Sequence, residues 1–398
     1  MAHSFAPPHT LFYAPCHTAP GRLRFLACLL IVVGIPLLCF IPRARADSGA
    51  QDNTITLQHR TDKAAPAALS IWAQARGGSD ADPSRHGTDG WVCLSRRDPR
   101  HGACPTDLEW AYRWGTTTPI SLTFTEQHSG ATAVLTLTAS SAFYADPAHH
   151  CATVSRTTAI NQVSLLGCED GLAVKYYNGK VLSVTLTADQ IARLPFGGRW
   201  QAQLVLQQHA WSSASQVALW AANITLEVTD KHNGAIYLPG MDTAQPLITL
   251  GLHPTGHRDL VAGQQVVDTC LYDGYNANSP WLSVTLSDAL PATGRGAATF
   301  SVVHRGHSPA SASNRIDYRV ALDYGGRQQS VLNGRPLLLA NADRAPVHSV
   351  TLPGIPQPVA CIPAPLTLTV APFNPSIKNP GHYSGTLRIV LAADALVP

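Results

Sequence analysis

Short segments in which apolar and polar side chains alternate recur along the whole chain. In the first half they are residues 120–125 (ISLTFT), 133–138 (AVLTLT), 181–187 (VLSVTLT), 204–206 and 224–228 (ITLEV). Residues 282–286 (LSVTL), 318–322 (YRVAL) and 366–370 (LTLTV) follow in the second. A period of two places the apolar set on one face of a strand and the Thr and Ser set on the other, as a half-buried sheet requires. Helical periodicity is almost absent. The exception is 187–194 (TADQIARL), where Thr187 is expected to cap one or two helical turns. The pattern predicts an all-β protein built of β-sandwiches.

The pattern also ends on a strand. In residues 381–391 (GHYSGTLRIVL), Tyr383, Gly385, Leu387, Ile389 and Leu391 alternate with Ser384, Thr386, Arg388 and Val390. One continuous strand with one buried face is predicted. Only residues 392–398 follow, too few to turn back and cover its free edge. An open apolar edge is an aggregation hazard, so completion by another chain is expected, and with it an assembly subunit.

The N-terminus sets the compartment. Arg22 and Arg24 precede an apolar run, 25–41, which ends in the small-residue pattern Ala44, Arg45, Ala46. Residues 1–46 are therefore expected to be a secretory signal cleaved before Asp47; a short membrane anchor is the alternative. Roughly 350 residues remain, more than one ordinary sandwich holds and suited to two domains. The boundary is placed at 237–242 (YLPGMD), where Pro239 and Gly240 interrupt the strand pattern as a stiff connector. Residues 47–236 make the first domain and 243–398 the second. Residues 47 to about 65, polar and terminal, are expected to be partly irregular.

Of nine cysteines, Cys16, Cys28 and Cys39 leave with the signal, and six stay in an oxidising compartment. An even number there implies three disulfides. Local pairing gives Cys93–Cys104, Cys151–Cys168 and Cys270–Cys361, one of about fifteen connectivities that six cysteines allow. In a loop-entropy account each contributes on the order of 3 to 5 kcal/mol less any strain. Charged residues make up 13% and the formal charge is +3, which gives no nucleic-acid footprint.

Several chemical signals are weak. His149, His150 and Cys151 are adjacent, but neighbouring strand residues point to opposite faces and a zinc site needs three or four convergent ligands. No nucleophile elbow, zinc-protease helix or phosphate-cradling glycine loop is present, so no catalytic residue, metal or cofactor is assigned. Asp273, before a glycine, reads as turn chemistry. Asn223-Ile-Thr225 is a formal glycosylation acceptor, but Ile224 falls on a core position.

Four blocks of the second domain occur in a specific order: LGLHPTG, VVDTCLYDGYNANS, LPGIPQPVACIPAPLTLTV and NPGHYSGTLRIVLAA. With WVCLSRRDPRHGACP, LPFGGRW at 194–200 and NITLEVTD at 223–230 in the first domain, they cover nearly the whole mature chain. In these blocks it resembles the minor-subunit adhesins and pilus-biogenesis initiators of the alternate (class 5) chaperone-usher pathway, the group of cable-pilus and colonisation-factor tip subunits. The resemblance implies two immunoglobulin-like β-sandwiches, an N-terminal receptor-binding domain and a C-terminal pilin domain lacking its last strand. That strand would come first from a periplasmic chaperone and then, past an outer-membrane usher, from the N-terminal extension of the major pilin. The groove accepting it would be lined by Tyr383, Leu387, Ile389 and Leu391. The implied location is the pilus tip on the cell surface, reached through the periplasm, and the implied activity is adhesion, not catalysis.

The chain departs from that group where receptor binding is concerned. The family's arginine cluster would fall at Thr88, Ala210 and Trp211, none of them basic. Trp211 offers a flat face for a sugar ring, or simply packs on a neighbour. Arg96, Arg97 and Arg100, with His101, form a denser basic patch inside the Cys93–Cys104 ring, or merely a solvated loop. Three readings follow: an adhesin for a surface receptor such as a host glycan, an initiator that has lost adhesion, and a secreted carbohydrate-active β-sandwich enzyme. The last requires two carboxylates about 5 to 10 Å apart in a cleft.

Overall fold

The computed structural model describes residues 49–394 apart from 112, 145–155, 171–172, 242, 244, 257–258, 289 and 292–293. The expected signal lies outside the described residues. Asp47–Pro398 folds as one compact unit.

The alternating segments become strands. In the first half these are β1 (Asn53–Asp62), β2 (Leu69–Ser79), β3 (Asp89–Cys93), β4 (Glu109–Trp110), β5 (Thr118–Glu126) and β6 (Thr132–Tyr144). They continue as β7 (Gln162–Val163), β8 (Gly167–Asp170), β9 (Ala173–Tyr176), β10 (Gly179–Leu186), β11 (Gly198–Ala210) and β12 (Gln216–Thr229). The main sheet has the order β1-β12-β11-β5-β6-β10-β2, with β3 added on β11. Its alternation buries Leu122, Phe124, Leu137, Val184, Leu204, Leu206 and Ile224. Trp220 meets both Trp72 and Trp91 edge to face, each at 5.5 Å between centroids, an arrangement the ring quadrupoles favour.

Two short helices interrupt this half, α1 (Pro83–His86) and α2 (Ala188–Ala192). Thr187 stands at the N-cap of α2, but its side chain makes no capping bond. Burial of Ile191 and a bond from the Thr136 amide to Gln190 Oε1 at 2.9 Å hold the helix instead. The irregular start expected up to residue 65 is also corrected. Asn53–Asp62 runs parallel to β12 along its whole length. Ile55 and Leu57 rest on the core while Thr54, Thr56 and Gln58 face solvent, so the polar composition hides a strand with one apolar edge of side chains.

The second half comprises β13 (Ala235–Tyr237), β14 (Leu252–Pro254), β15 (Val261–Val267), β16 (Cys270–Tyr272), β17 (Trp281–Ser287), β18 (Phe300–His304) and β19 (Arg315–Tyr324). Then come β20 (Arg327–Ser330), β21 (Pro336–Ala340), β22 (His348–Val350), β23 (Val359–Pro363), β24 (Leu366–Phe373), β25 (Tyr383–Ser384) and β26 (Arg388–Ala393). Two sheets, β14-β15-β24-β19-β18-β25 and β21-β17-β26, enclose a second core around Phe300, Leu282, Val320 and Leu368.

A third sheet, β13-β16-β23-β22, stands between the cores. Cys270, Tyr272, Val359 and Cys361 belong to the first core, whereas Leu271, Ala360 and Ile362 belong to the second. Period two thus makes one sheet a wall shared by both sandwiches. β13 bonds to β16, so the chain has joined this wall by Ala235, ahead of the segment expected as a connector.

The predicted continuous strand at 381–391 is two strands in opposite sheets. β25 pairs with β18, and β26 pairs with β17. The Tyr383 hydroxyl has the carbonyls of Asn379 (2.6 Å) and Ser313 (3.0 Å) as acceptors, tying β25 to the loop before it and to the turn that leads into β19. Gly385 sits at the crossing, where a Cβ would lie 3.1 Å from Ser301 O. Alternation continues through the crossing because both sheets face the same core, so periodicity alone does not reveal it.

Candidate functional site

Two surfaces carry the residues of interest. The first is the edge of β26. On one side its ladder to β17 runs from Leu282 opposite Ala393 to Ser287 opposite Arg388. On the other side it has no strand among the described residues. Leu387, Ile389 and Leu391 turn inward, half-buried against the second core, while Val390 faces out, 44% exposed. Ile248 and Leu250, in a stretch without strand pairing, are half-buried on the same core. Tyr383 also touches that core, but from β25 in the opposite sheet. The result is an apolar floor beside a row of free main-chain groups, the chemistry of strand addition.

The second surface lies on the first sandwich. The Cys93–Cys104 disulfide, with Cα atoms 5.3 Å apart, closes the loop of basic residues. Arg96 reaches out of it to Asp107 Oδ2 at 2.7 Å and Thr106 Oγ1 at 3.1 Å. Arg100 places its fork on Asp98 at 2.9 and 2.6 Å. These partners show in the carboxyls: hydrogen bonding to Arg100 lowers Asp98 to about 2, and Arg96 lowers Asp107. Arg97 carries no ion pair among the described residues. The expected basic patch is thus largely neutralised by its own acids.

Of the three aligned positions, two are not accessible. Thr88 is buried and its hydroxyl donates to Ser84 O at 2.7 Å; Ala210 is buried at the end of β11, opposite Asp89. Trp211 is exposed, and its ring lies 5.3 Å from that of Trp110 at an interplanar angle of 45°. Sequence reasoning does not single out Trp110. Nothing in the pattern of a two-residue strand links it to a turn one hundred residues later.

Cys270 and Cys361 are disulfide-bonded across the shared wall, Cα atoms 5.7 Å apart. Cys151 lies outside the described residues, and with it the expected Cys151–Cys168 pair, as do His149 and His150. No group of three or more His, Cys, Asp or Glu suited to a metal occurs among the described residues. The buried Asp273 carboxylate accepts from the amides of Tyr275, Ala277 and Ser279 at 2.9 to 3.0 Å, holding a turn.

Both sandwiches have known relatives. Residues 42–231 match the family of CfaE, the E subunit of CFA/I fimbriae, in its first domain, and residues 234–395 match the same family in its second domain. The CFA/I fimbrial E subunit of Escherichia coli is 29% identical over 306 residues, spanning 75% of this chain and 78% of its own. The crystal structure of CfaE, the adhesive subunit of CFA/I fimbria of enterotoxigenic Escherichia coli, superposes with a TM-score of 0.73 at 26% identity, covering 87% of this chain and 93% of that one. A chain from a chaperone–tip adhesin complex of CFA/I fimbriae shares the fold, with a TM-score of 0.65 at 23% identity over 87% of this chain and 98% of its own.

Proposed function

The chain belongs to the CfaE family of CFA/I fimbrial proteins and is a minor, adhesin-type subunit of a chaperone-usher pilus, and from that premise we propose that it occupies the pilus tip and initiates the fibre. The observation that carries this reading is the free edge of β26 over the half-buried Leu387, Ile389 and Leu391. A strand laid there would pair with main-chain groups and cover the apolar side chains; full burial of each is worth roughly 1.5 to 3 kcal/mol. The donor is a periplasmic chaperone during transit and the major pilin after passage through the outer-membrane usher. β1, just after the expected cleavage point, is already paired with β12. Its segment is therefore not free to complete another subunit, which suits a terminal position that accepts a strand and gives none.

The first sandwich acts as the receptor-binding domain, and the protein is not an enzyme. Its relatives carry the names of adhesive subunits, and the carboxylates near the candidate surface, Asp98, Asp107 and Glu109, are each paired with an arginine. One observation favours a second reading, an initiator without adhesion. The positions aligned with the family's arginines are a buried threonine, a buried alanine and Trp211.

The mature chain expressed in the periplasm with the neighbouring chaperone and pilin is expected to co-purify with them. Alone it should aggregate or melt broadly, and a peptide copying the pilin N-terminal extension should restore a sharp transition. A free mature chain that melts cooperatively as a monomer, indifferent to the peptide, defeats the proposal. Adhesion of the assembled complex to cells separates the adhesin from the silent initiator.

A further inference from the structure

Large aromatic side chains in this sandwich are mostly buried: Trp91, Trp200 and Trp220 are shut away in the first core. Trp110 and Trp211 break that rule together, 52% and 42% exposed. Their tilted rings form a shallow corner rather than a flat stack. Both walls of the corner are held in place. β4 runs parallel to β7, with the Glu109 amide bonded to Asn161 O at 2.9 Å and the Ala111 amide to Val163 O at 3.0 Å. Trp211 follows directly on Ala210, whose amide bonds to Ser215 O at 3.0 Å and closes the turn after β11. A site assembled before its ligand arrives loses little entropy on binding.

The charge balance of the neighbouring segment narrows the ligand class. In the segment that carries Trp110, Glu109 pairs with Arg113 at 3.1 Å and Asp107 with Arg96 at 2.7 Å. Each pair offers exposed donors and acceptors while adding no net charge. An acidic sugar or phosphate calls for uncompensated arginine. An acyl chain calls for an enclosed apolar pocket, and this corner is open. A neutral sugar ring matches both features, because its C–H face packs on indole while its hydroxyl edge exchanges hydrogen bonds with charged side chains.

Resting on the adhesive reading above, we propose that Trp110 and Trp211 form the receptor corner of this protein and that the ligand is a neutral hexopyranose at the end of a glycan chain. The family's arginine site is thereby replaced by an aromatic one, with a change from charged to uncharged ligand.

The test uses the full mature chain in its chaperone complex on an array of neutral and sialylated glycans, followed by titration of free galactose, glucose and sialyllactose read by tryptophan fluorescence. Neutral hexose-terminated glycans should bind. Trp110→Ala and Trp211→Ala should each weaken binding by about tenfold, and Trp211→Tyr should keep most of it. Each ring is about half-buried and packs on the other, so each Ala variant should melt somewhat below the parent; binding is therefore compared at a temperature where parent and variants are all folded. Binding of sialylated glycans alone overturns the ligand class. Equal glycan binding, or equal adhesion to a panel of cultured cells, by the Trp110→Ala/Trp211→Ala double variant overturns the corner and leaves the adhesive reading intact. If the parent complex binds neither glycans nor cells, the adhesive reading fails and this inference falls with it.

Discussion

Lys180 lies on β10 only 1% exposed, donating to Gln162 O at 2.7 Å and standing 5.4 Å from the centre of the Phe143 ring. Burial pulls its pKa down to about 7, with Asp89 opposing the shift. Between that value and the ordinary 10.5, the unfolded chain holds a proton that the folded chain lacks. Stability therefore rises with pH across this window, by at most about 1.4 kcal/mol per unit, and this contribution is lost as pH falls to 7. Lys180→Met should remove the slope. Denaturant melts of parent and variant from about pH 8 to 9.5, inside that window, should show their difference shrinking as pH rises; a constant difference contradicts the assignment. Higher pH is avoided because burial raises the phenols of Tyr272 and Tyr318, whose ionisation in the unfolded chain then acts in the opposite sense. At this scale the sequence says little. Lys180 stands in a segment whose alternation begins only at Val181, and Trp110 gains its meaning from Trp211, so both depend on contacts that no local pattern encodes.

Among the elements, the strands with clean alternation, such as those around Leu122, Leu135, Val184 and Val284, are where periodicity puts them, because each has one apolar and one polar face. Three cases escape that logic, each for its own physical reason. β1 pairs with β12 along its whole length but offers only Ile55 and Leu57 to the core within a polar composition, so its apolar face is short. β16 and β23 present apolar groups on both faces, so they read as continuous apolar runs without alternation. The terminal segment changes sheet in mid-pattern. What was legible of the proposed acceptor site, Leu387, Ile389 and Leu391, lies on the side of the crossing where alternation and sheet coincide. These residues also give a test of the edge. Each is half-buried, so a donor strand recovers part of a side chain, on the order of 1 kcal/mol or about fivefold in Kd. By calorimetric titration, Ile389→Ala and Leu391→Ala should each weaken donor-peptide binding by that factor, whereas Val390→Ala, on the outward face, should leave it unchanged. Equal effects at all three positions would place the peptide elsewhere.

For the whole molecule, the shared wall changes what two domains means. Two sandwiches joined by a connector would unfold separately, but here β16 and β23 supply side chains to both cores, and neither core is complete without them. A buried carboxylate locks the same junction. Glu126, on β5, accepts from the side-chain amides of Asn276 and Asn278 beyond the wall and from Ser129 and Arg199 on its own side. The Asn276 carbonyl oxygen Oδ1 accepts from the Ala360 amide at 2.6 Å, carrying the connection into β23. At Gly197 the two backbones approach so closely that a Cβ would lie 2.2 Å from Gly274 O. With the donor peptide bound, the parent is expected to show a single calorimetric transition for both sandwiches. Glu126→Ala leaves several buried donors without an acceptor, each worth about 1 to 3 kcal/mol, and Gly197→Ala forces the backbones apart. Both variants should melt well below the parent and resolve into two transitions, since each core then loses its support at a different temperature. If the parent itself melts in two steps and Glu126→Ala lowers only the first, the wall does not couple the halves. The two sandwiches would then be separate folding units in spite of the shared sheet.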